Sequence, residues 1–318
     1  MNNNFKLSIV VPIFNEELNI LELNKRLTKA LFAVENYEVI FVDDGSMDKT
    51  LSLIKKLSEE NSKIKYLSFS RNFGHQNALR AGFAYAGGDC VVSMDGDLQH
   101  PPELIPKLVE KWQAGYKIVY TIRKDSRKMS FLKKRTANLF YAIMAKFSDV
   151  NIPRGAADFR LLDKEIVEII LKIEENTLFL RGLVAWLGFE QFAIEYAPEE
   201  RFAGKTKYSL KKMISFAITG ITSFSVKPLR LATVAGFAIA TLAFIYALYA
   251  LFIKIFTTEA MSGWTSVLVS VLFLSGIQLL TFGIMGEYIG KLFMQAKGRP
   301  NYIIKEKNCD QGVVQKKK

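Results

Sequence analysis

The chain sets short runs of β-branched and apolar residues against amphipathic stretches of helical period. Residues 7–13, 38–42, 64–69, 91–94 and 118–121 predict strands, and residues 18–34, 47–60, 76–85 and 103–114 predict helices. Strands alternating with helices predict a mainly parallel α/β sheet, with ligands bound at the carboxyl ends of its strands. The turn at residues 43–46 follows a strand and offers Ser46 as a helix N-cap, with Asp48 in the first turn. From 128 to 196 the pattern is less regular. It predicts helices near 136–147 and 164–173 and a strand over 191–196, with no internal repeat anywhere in the chain.

Further on the apolar pattern changes character. Leu210, Met213, Ile214, Ala217, Ile221 and Phe224 recur at helical spacing over residues 208–228. Such a stripe suits a core-facing helix or one lying in a membrane interface, and its place directly before a long apolar run favours the interface. Residues 229–256 and 264–289 are each longer than the roughly 20 residues that cross a bilayer. They predict a transmembrane hairpin over 229–290. The connection carries only Lys254 and Glu259, whereas Lys227 and Arg230 flank one end and Lys291, Lys297 and Arg299 the other. The positive-inside rule then places both termini, the α/β domain over 1–207 and a basic tail over 291–318 in the cytoplasm, making this an integral protein of the cell membrane. Gly286 and Gly290 form a small-residue spacing on the second span, which makes a homo-oligomer an expectation.

Composition agrees with a membrane portion: 50% of the 318 residues are apolar, and mean hydropathy is +0.13. The net charge of +12 favours an anionic partner, whether nucleic acid, acidic lipid headgroups or a phosphorylated substrate. Because the basic residues gather near the apolar spans, nucleic acid is the least favoured. Cys90 and Cys309 are too few and too far apart for a disulfide framework or a cysteine metal site. The N-terminus leads straight into a strand-like run without the features of a signal peptide, so the first domain is expected to stay on the cytoplasmic side.

The most informative short segment is Asp95-Gly96-Asp97-Leu98-Gln99, which directly follows a predicted strand. Two carboxylates one residue apart, with a carboxamide beyond them, offer oxygen ligands to a hard divalent cation, Mg²⁺ or Mn²⁺. Such an ion binds a diphosphate and neutralises charge as it leaves. Taken alone the pattern is common, and a surface turn rich in Asp and Gly is the readier reading. Context decides. Val10-Val11-Pro12-Ile13-Phe14-Asn15-Glu16-Glu17, Val42-Asp43-Asp44-Gly45-Ser46, Ser70-Arg71-Asn72-Phe73-Gly74 and Asp95-Gly96-Asp97-Leu98-Gln99-His100-Pro101-Pro102 follow one another in this order. In that combination the chain resembles glycosyltransferase family 2. Within it, the match is to the polyprenyl-phosphate branch, which includes dolichol-phosphate mannose synthases and bactoprenol glucosyltransferases.

The resemblance implies a GT-A catalytic domain over 1–207 and inverting transfer of a sugar from a nucleotide sugar donor to polyprenyl phosphate. It implies nucleotide contacts at Pro12, Phe14 and Glu16, with Phe14 standing where family members often have Tyr. Asp44, beside Asp43, matches the base-recognising position, and turn formation or helix capping is the alternative for either carboxylate. Asp95, Asp97 and Gln99 match the metal and diphosphate site, with Asp97 also a catalytic candidate. Ala156-Ala157-Asp158-Phe159-Arg160 resembles a family segment with Gly where this chain has Ala157, and there Asp158 is either catalytic or half of a buried salt bridge with an arginine. Arg201-Phe202-Ala203-Gly204-Lys205-Thr206-Lys207-Tyr208 resembles the loop that precedes the interfacial helix. Arg201 and Lys207 are its candidates for the acceptor phosphate, joined by Arg123, Arg127 and Arg135, for which solvated surface charge is the alternative.

Other chemistries find less support. Gly204-Lys205-Thr206 lacks the first glycine of a P-loop, where the chain has Glu199, and no G-x-G-x-x-G follows a strand. His75 and His100 are too few and too separated to suggest a zinc site or a triad. A processive polysaccharide synthase would carry Q-x-x-R-W, yet none of Trp112, Trp186 and Trp264 follows an arginine. A non-catalytic accessory subunit is disfavoured by the presence of both metal carboxylates.

Overall fold

The computed structural model describes residues 5–124, 153, 155–175, 179–197, 220, 222–256 and 263–310. The strands are β1 (Leu7–Ile13), β2 (Tyr37–Asp43), β3 (Ile64–Phe69), β4 (Cys90–Ser93), β5 (Ile118–Arg123), β6 (Ala156–Asp163), β7 (Gln191–Tyr196) and β8 (Ile304–Lys307). The α/β helices are α1 (Ile20–Ala30), α2 (Thr50–Glu60), α3 (His75–Tyr85), α4 (Ile105–Gln113), α5 (Lys164–Lys172) and α6 (Leu180–Trp186), and the apolar ones are α7 (Lys227–Phe256) and α8 (Trp264–Ala296).

One sheet runs in the order β7-β5-β6-β4-β1-β2-β3-β8. The block β4-β1-β2-β3 is parallel, β6 runs antiparallel to both β4 and β5, and β8 runs antiparallel to β3. All seven residues of β1 are buried, as expected of a strand covered on both faces. Leu7, Ile9, Val11 and Ile13 face a core shared with Leu23, Ile54 and Leu108 of α1, α2 and α4. Val10, Ile40 and Val42 face the opposite core with α3, α5 and α6. A Cβ built on Gly82 of α3 would lie 2.1 Å from Val10 Cγ1, so the glycine lets α3 lie directly on β1.

The mixed, mainly parallel sheet followed by two apolar helices is the arrangement the GT-A resemblance implies, and three corrections refine it. Ser46 is not an N-cap: its amide donates to Asp43 Oδ1 at 3.1 Å, its hydroxyl accepts from Asn15 N at 2.9 Å, and α2 begins four residues later. β6 and α6 are elements that hydrophobic pattern alone did not predict. Residues 304–307, assigned to a basic tail, instead form the edge strand β8. There Tyr302 stacks on Phe69 with centroids 5.1 Å apart, Lys55 pairs with Glu306 at 2.6 Å, and Cys309 is buried.

Both apolar helices are long and apolar enough to cross a membrane, over Lys227–Tyr249 and Val269–Ala296. Their large side chains stand outward, Phe237 and Leu279 among them. The hairpin is tied to the domain at both ends. Phe224, just before α7, packs against Phe179 with centroids 6.0 Å apart, and Gln295, at the end of α8, donates to the Glu174 carbonyl. The helix expected at 136–147, most of the stripe at 208–228 and the connection at 257–262 lie outside the described residues.

At the amino end of the sheet, Glu38 is 2% exposed. It accepts from Lys6 at 2.8 Å, Lys65 at 2.6 Å, Ser8 Oγ at 2.6 Å and Gly87 N at 2.7 Å, joining β1, β2, β3 and the turn before β4. Burial pushes its carboxyl up, but these donors outweigh it and hold the pKa at about 2 against an ordinary 4.5. A folded-state pKa below the unfolded value means stability that is complete above pH 4.5 and lost as pH falls toward 2. Glu38→Gln is therefore expected to cost about 3 kcal/mol at pH 7. In thermal unfolding of the detergent-solubilised protein, the gap between wild type and variant should narrow below pH 4.5; a gap that stays constant to pH 3 would contradict this.

Candidate active site

Because β1, β2 and β4 are parallel and adjacent, the loops at their carboxyl ends meet on one edge of the sheet. Pro12 is buried in β1, and Phe14, Asn15 and Glu16 follow it, half-buried. Asn15 holds a left-handed φ of 53°, a conformation that costs a non-glycine residue about 1–2 kcal/mol. Its side chain offsets that cost by accepting from Met47 N at 2.9 Å, while Glu16 N donates to Thr50 Oγ1 at 3.0 Å. The first two loops are thereby stitched together.

Asp43 and Asp44 end β2 and are both buried. Besides Ser46 N, Asp43 accepts from Ser68 Oγ at 2.9 Å. Asp44 accepts from Phe73 N at 2.6 Å and Gly74 N at 2.9 Å, fixing the entry to α3. Burial raises the Asp44 pKa in spite of these amides, with the Asp43 charge adding to it.

β4 delivers the aspartate pair. A Cβ on Gly96 would lie 2.2 Å from Ile13 Cδ1, so the turn packs directly on the side chain that ends β1. Leu98 takes a φ of 62° and buries its side chain completely in the core, which anchors the turn. Asp97 Oδ1 accepts from Gln99 N at 3.1 Å. Asp95 is held from two sides: its amide donates to His100 Nδ1 at 3.0 Å, and its Oδ1 lies 2.8 Å from His75 Nε2. Partial burial pushes the Asp95 carboxyl up, but the charges of His100 and His75 and the His75 hydrogen bond outweigh it and hold the pKa at about 2. His100 itself is buried and stacked on Phe159, centroids 5.3 Å apart. The two histidines, distant in sequence, thus converge on one carboxylate.

Asp158 comes from β6, beside β4, where Ser93 Oγ donates to its carbonyl at 2.7 Å. Arg181, at the start of α6, grips it with two bonds, Nε to Oδ1 at 2.9 Å and Nη2 to Oδ2 at 2.8 Å. Arg160 adds a third at 3.2 Å. Burial pushes the Asp158 carboxyl up, yet Arg181, then Arg160 and His75, hold it far below the ordinary carboxylate range. Tyr196 closes this side. Its phenol is pushed up to about 12 by burial, with the Asp95 and Asp97 carboxylates adding to the rise and Arg123 and Arg181 opposing it.

Asp95, Asp97 and Asp158 therefore share one region, flanked by Phe14, Glu16, Asp43 and Asp44. Arg123 ends β5, exposed. Arg127, Arg135, Arg201 and Lys207 lie outside the described residues. Sequence reasoning did not find Arg181, 23 residues beyond its partner with no local motif, nor the inward roles of His75 and His100, although both stand within or directly behind the quoted segments. No three His, Cys, Asp or Glu side chains among the described residues form a metal centre by themselves. The donors Asp95, Asp97 and Gln99 instead fit an ion that completes its shell with phosphate oxygens and water, as Mg²⁺ does.

Residues 8–171 match the family described as Glycosyl transferase family 2, and residues 227–292 match the GtrB C-terminal hairpin. The chain is 45% identical to the uncharacterized glycosyltransferase YkcC of Bacillus subtilis, over 96% of this chain and 95% of that one. It is 42% identical to a prophage bactoprenol glucosyl transferase homolog of Escherichia coli, over 94% and 98%, and 42% identical to the bactoprenol glucosyl transferase of Shigella phage SfII, over 95% and 98%. Among solved structures, the mannosyltransferase PcManGT of Pyrobaculum calidifontis covers 93% of this chain, with 88% of its own covered, at 15% identity and a TM-score of 0.49.

The clamp on Asp158 generates a direct test. Arg181→Ala leaves the buried Asp158 carboxylate with only the single bond from Arg160 and is expected to destabilise the protein by about 3 kcal/mol. Adding Asp158→Asn should recover part of that loss, because the charge needing a partner is gone. A double-mutant cycle on unfolding midpoints measures this; strict additivity of the two substitutions would show that the pair is not coupled.

Proposed function

The chain belongs to glycosyl transferase family 2, and from that premise we propose that it moves a sugar from a nucleotide diphosphate donor, UDP-linked, onto polyprenyl phosphate at the cytoplasmic face of the membrane. The observation that carries this reading is the pairing of two carboxylates, Asp95 and Asp97, at the carboxyl end of β4 with a catalytic domain tied to both ends of an apolar hairpin. The names of the bactoprenol glucosyl transferase relatives support a lipid acceptor.

The reaction needs little proton chemistry. A phosphate oxygen of the acceptor forms a bond to the anomeric carbon from the face opposite the leaving group, the bond from that carbon to the donor diphosphate breaks, and the nucleoside diphosphate leaves with the electron pair, inverting the centre. With a second pKa near 6, a phosphate monoester is already largely anionic at neutral pH. The harder task is to hold two anions together. Asp95, Asp97 and Gln99 would hold a divalent ion, Mg²⁺ or Mn²⁺, which neutralises charge on the departing diphosphate. Pro12, Phe14, Glu16 and the Asp43-Asp44 turn line the nucleotide end. Arg201 and Lys207, with Arg123, Arg127 and Arg135, supply positive charge toward the lipid phosphate by electrostatic preorganisation.

With both its oxygens taken by Arg181 and Arg160, Asp158 is better suited to organising those arginines than to removing a proton. The lipid tail remains in the bilayer, and the interfacial stripe at 208–228 brings the acceptor loop to its phosphate. A homo-oligomer formed through α8 belongs to the same proposal: nothing among the described residues lies within 4 Å of a Cβ built at Gly286 or Gly290, so a second helix can approach there closely.

Asp95→Ala or Asp97→Ala is expected to lower turnover by at least about 10²-fold while the protein stays folded in the membrane, and a chelator should do the same to wild type. Undiminished turnover in chelator would remove the metal from the mechanism. With a panel of nucleotide sugars, wild type should glycosylate polyprenyl phosphate and leave the matching polyprenol untouched, and Arg201→Ala and Lys207→Ala should be severe. Efficient transfer to the alcohol would mean the acceptor chemistry is wrong.

Orientation is checked separately. Ser262→Cys should react with an impermeant thiol reagent on intact cells, whereas Lys305→Cys, exposed on β8, should react only after the membrane is opened. The native Cys309 is buried and is expected to stay silent in both. Reversed labelling of the two introduced cysteines would invert the topology.

A further inference from the structure

His75 occupies the first position of α3 and is 40% exposed at its side chain, yet its ring is fixed from behind. Leu180 N, at the start of α6, donates to Gln76 Oε1 at 3.0 Å. That bond turns the other end of the Gln76 amide, Nε2, toward His75 Nδ1 at 3.4 Å. A ring nitrogen that accepts from an amide leaves the proton of a neutral imidazole on the other nitrogen. His75 Nε2 is therefore the donor to Asp95 Oδ1 at 2.8 Å. The next residue along α6 is Arg181, which grips Asp158. A continuous run of contacts thus joins Asp158 to Asp95 through Arg181, Leu180, Gln76 and His75.

We propose that His75 is a positioning residue of the donor site: its Nε2–H locks the Asp95 carboxylate in the orientation that receives a divalent cation and diphosphate, and Gln76 ties that orientation to α6. The inference rests on the reading of Asp95 as a ligand given above. An aspartate carboxylate turns easily about its last torsion, which is broad and roughly two-fold. A fixed donor on Oδ1 leaves Oδ2 and the second lone pair of Oδ1 aimed in one direction before any ligand arrives. Partners that orient a metal ligand in this way affect affinity nearly as strongly as ligands do, typically by 10–100-fold. His75 reaches the cation only through Asp95, so its effect should fall on binding of the metal with the diphosphate and be replaceable by another N–H donor.

The full chain in detergent, titrated with Mn²⁺ at saturating UDP and followed by loss of the free-Mn²⁺ paramagnetic resonance signal, reads this without turnover. His75→Ala is expected to weaken Mn²⁺ uptake about 10–100-fold. His75→Gln, whose amide nitrogen falls near the lost Nε2, should recover most of the affinity, and Asp95→Ala should abolish uptake. His75→Ala binding like wild type, with Asp95→Ala inactive in binding, would overturn the inference and leave the functional reading intact. Equal weakness of His75→Ala and His75→Gln would show that the ring, not its N–H, is what the site needs, and would overturn it as well. Undiminished uptake by Asp95→Ala, or none by wild type with either UDP or GDP, would instead remove the reading of Asp95 as a ligand and the inference with it.

Discussion

The constraint on which the structure depends is the gathering of carboxylates at one edge of the sheet. Asp43, Asp44, Asp95, Asp97 and Asp158 all project from or just beyond the ends of β2, β4 and β6, and all but Asp95 are buried. A buried carboxylate without partners costs several kcal/mol or surrenders its charge. Each here is answered differently. Asp43 and Asp44 take hydrogen bonds from loop amides and a serine, Asp97 takes one from its own turn, Asp95 is held by two histidines, and Asp158 by two arginines. The amides and the serine leave the full negative charge of Asp43, Asp44 and Asp97 in place for a cation to meet, while the arginines cancel that of Asp158. That division separates a side of the site suited to a metal-bound diphosphate from a side suited to a bare anion.

The same loops explain which parts of the molecule were legible in the sequence. β1, β2 and β4 announce themselves because nearly every residue on both of their faces is buried, so they read as largely apolar runs such as the Leu7–Ile13 strand. β6 is buried through its middle as well, but it carries Asp158 and Arg160 there, and two charges in a short run mask a strand. β8 shows the opposite case. Its residues Ile304–Lys307 alternate half-buried with exposed, and an edge strand of such polarity looks like a solvated tail until a partner strand is known. Ser46 had every local mark of an N-cap. It was diverted because its hydroxyl and amide serve the neighbouring loop, a tertiary demand no local rule contains.

The site divides along the same line. Asp95, Asp97, Asp43 and Asp44 stand in contiguous segments with recognisable spacing, so their gathering was expected from sequence order and strand direction. Arg181 and His75 act on those carboxylates from α6 and α3, and their partners lie 23 and 20 residues away along the chain. Nothing in spacing links them. Only the sheet order, which sets β6 beside β4 and β4 beside β1, brings the helices that carry them to the same edge.

That sheet order also bears on the membrane. The hairpin is inserted between β7 and β8, and β8 returns to pair with β3, so the chain leaves the domain and comes back to it. A domain held by one linker would be free to tilt over the bilayer, and its site would meet a lipid headgroup only in a fraction of orientations. Two attachments remove most of that freedom, and on the proposed function they would hold the site at the height of an acceptor's headgroup. The return segment does more than tether. Ser70 N donates to the Ile303 carbonyl at 3.0 Å and Tyr302 stacks on Phe69, so the same strand that anchors the hairpin supports the 70–74 loop. That loop leads directly into His75 and, through its amides, satisfies Asp44. The apolar hairpin and the carboxylate cluster therefore share a structural member, and a displacement of the hairpin would be felt first at the carboxylates.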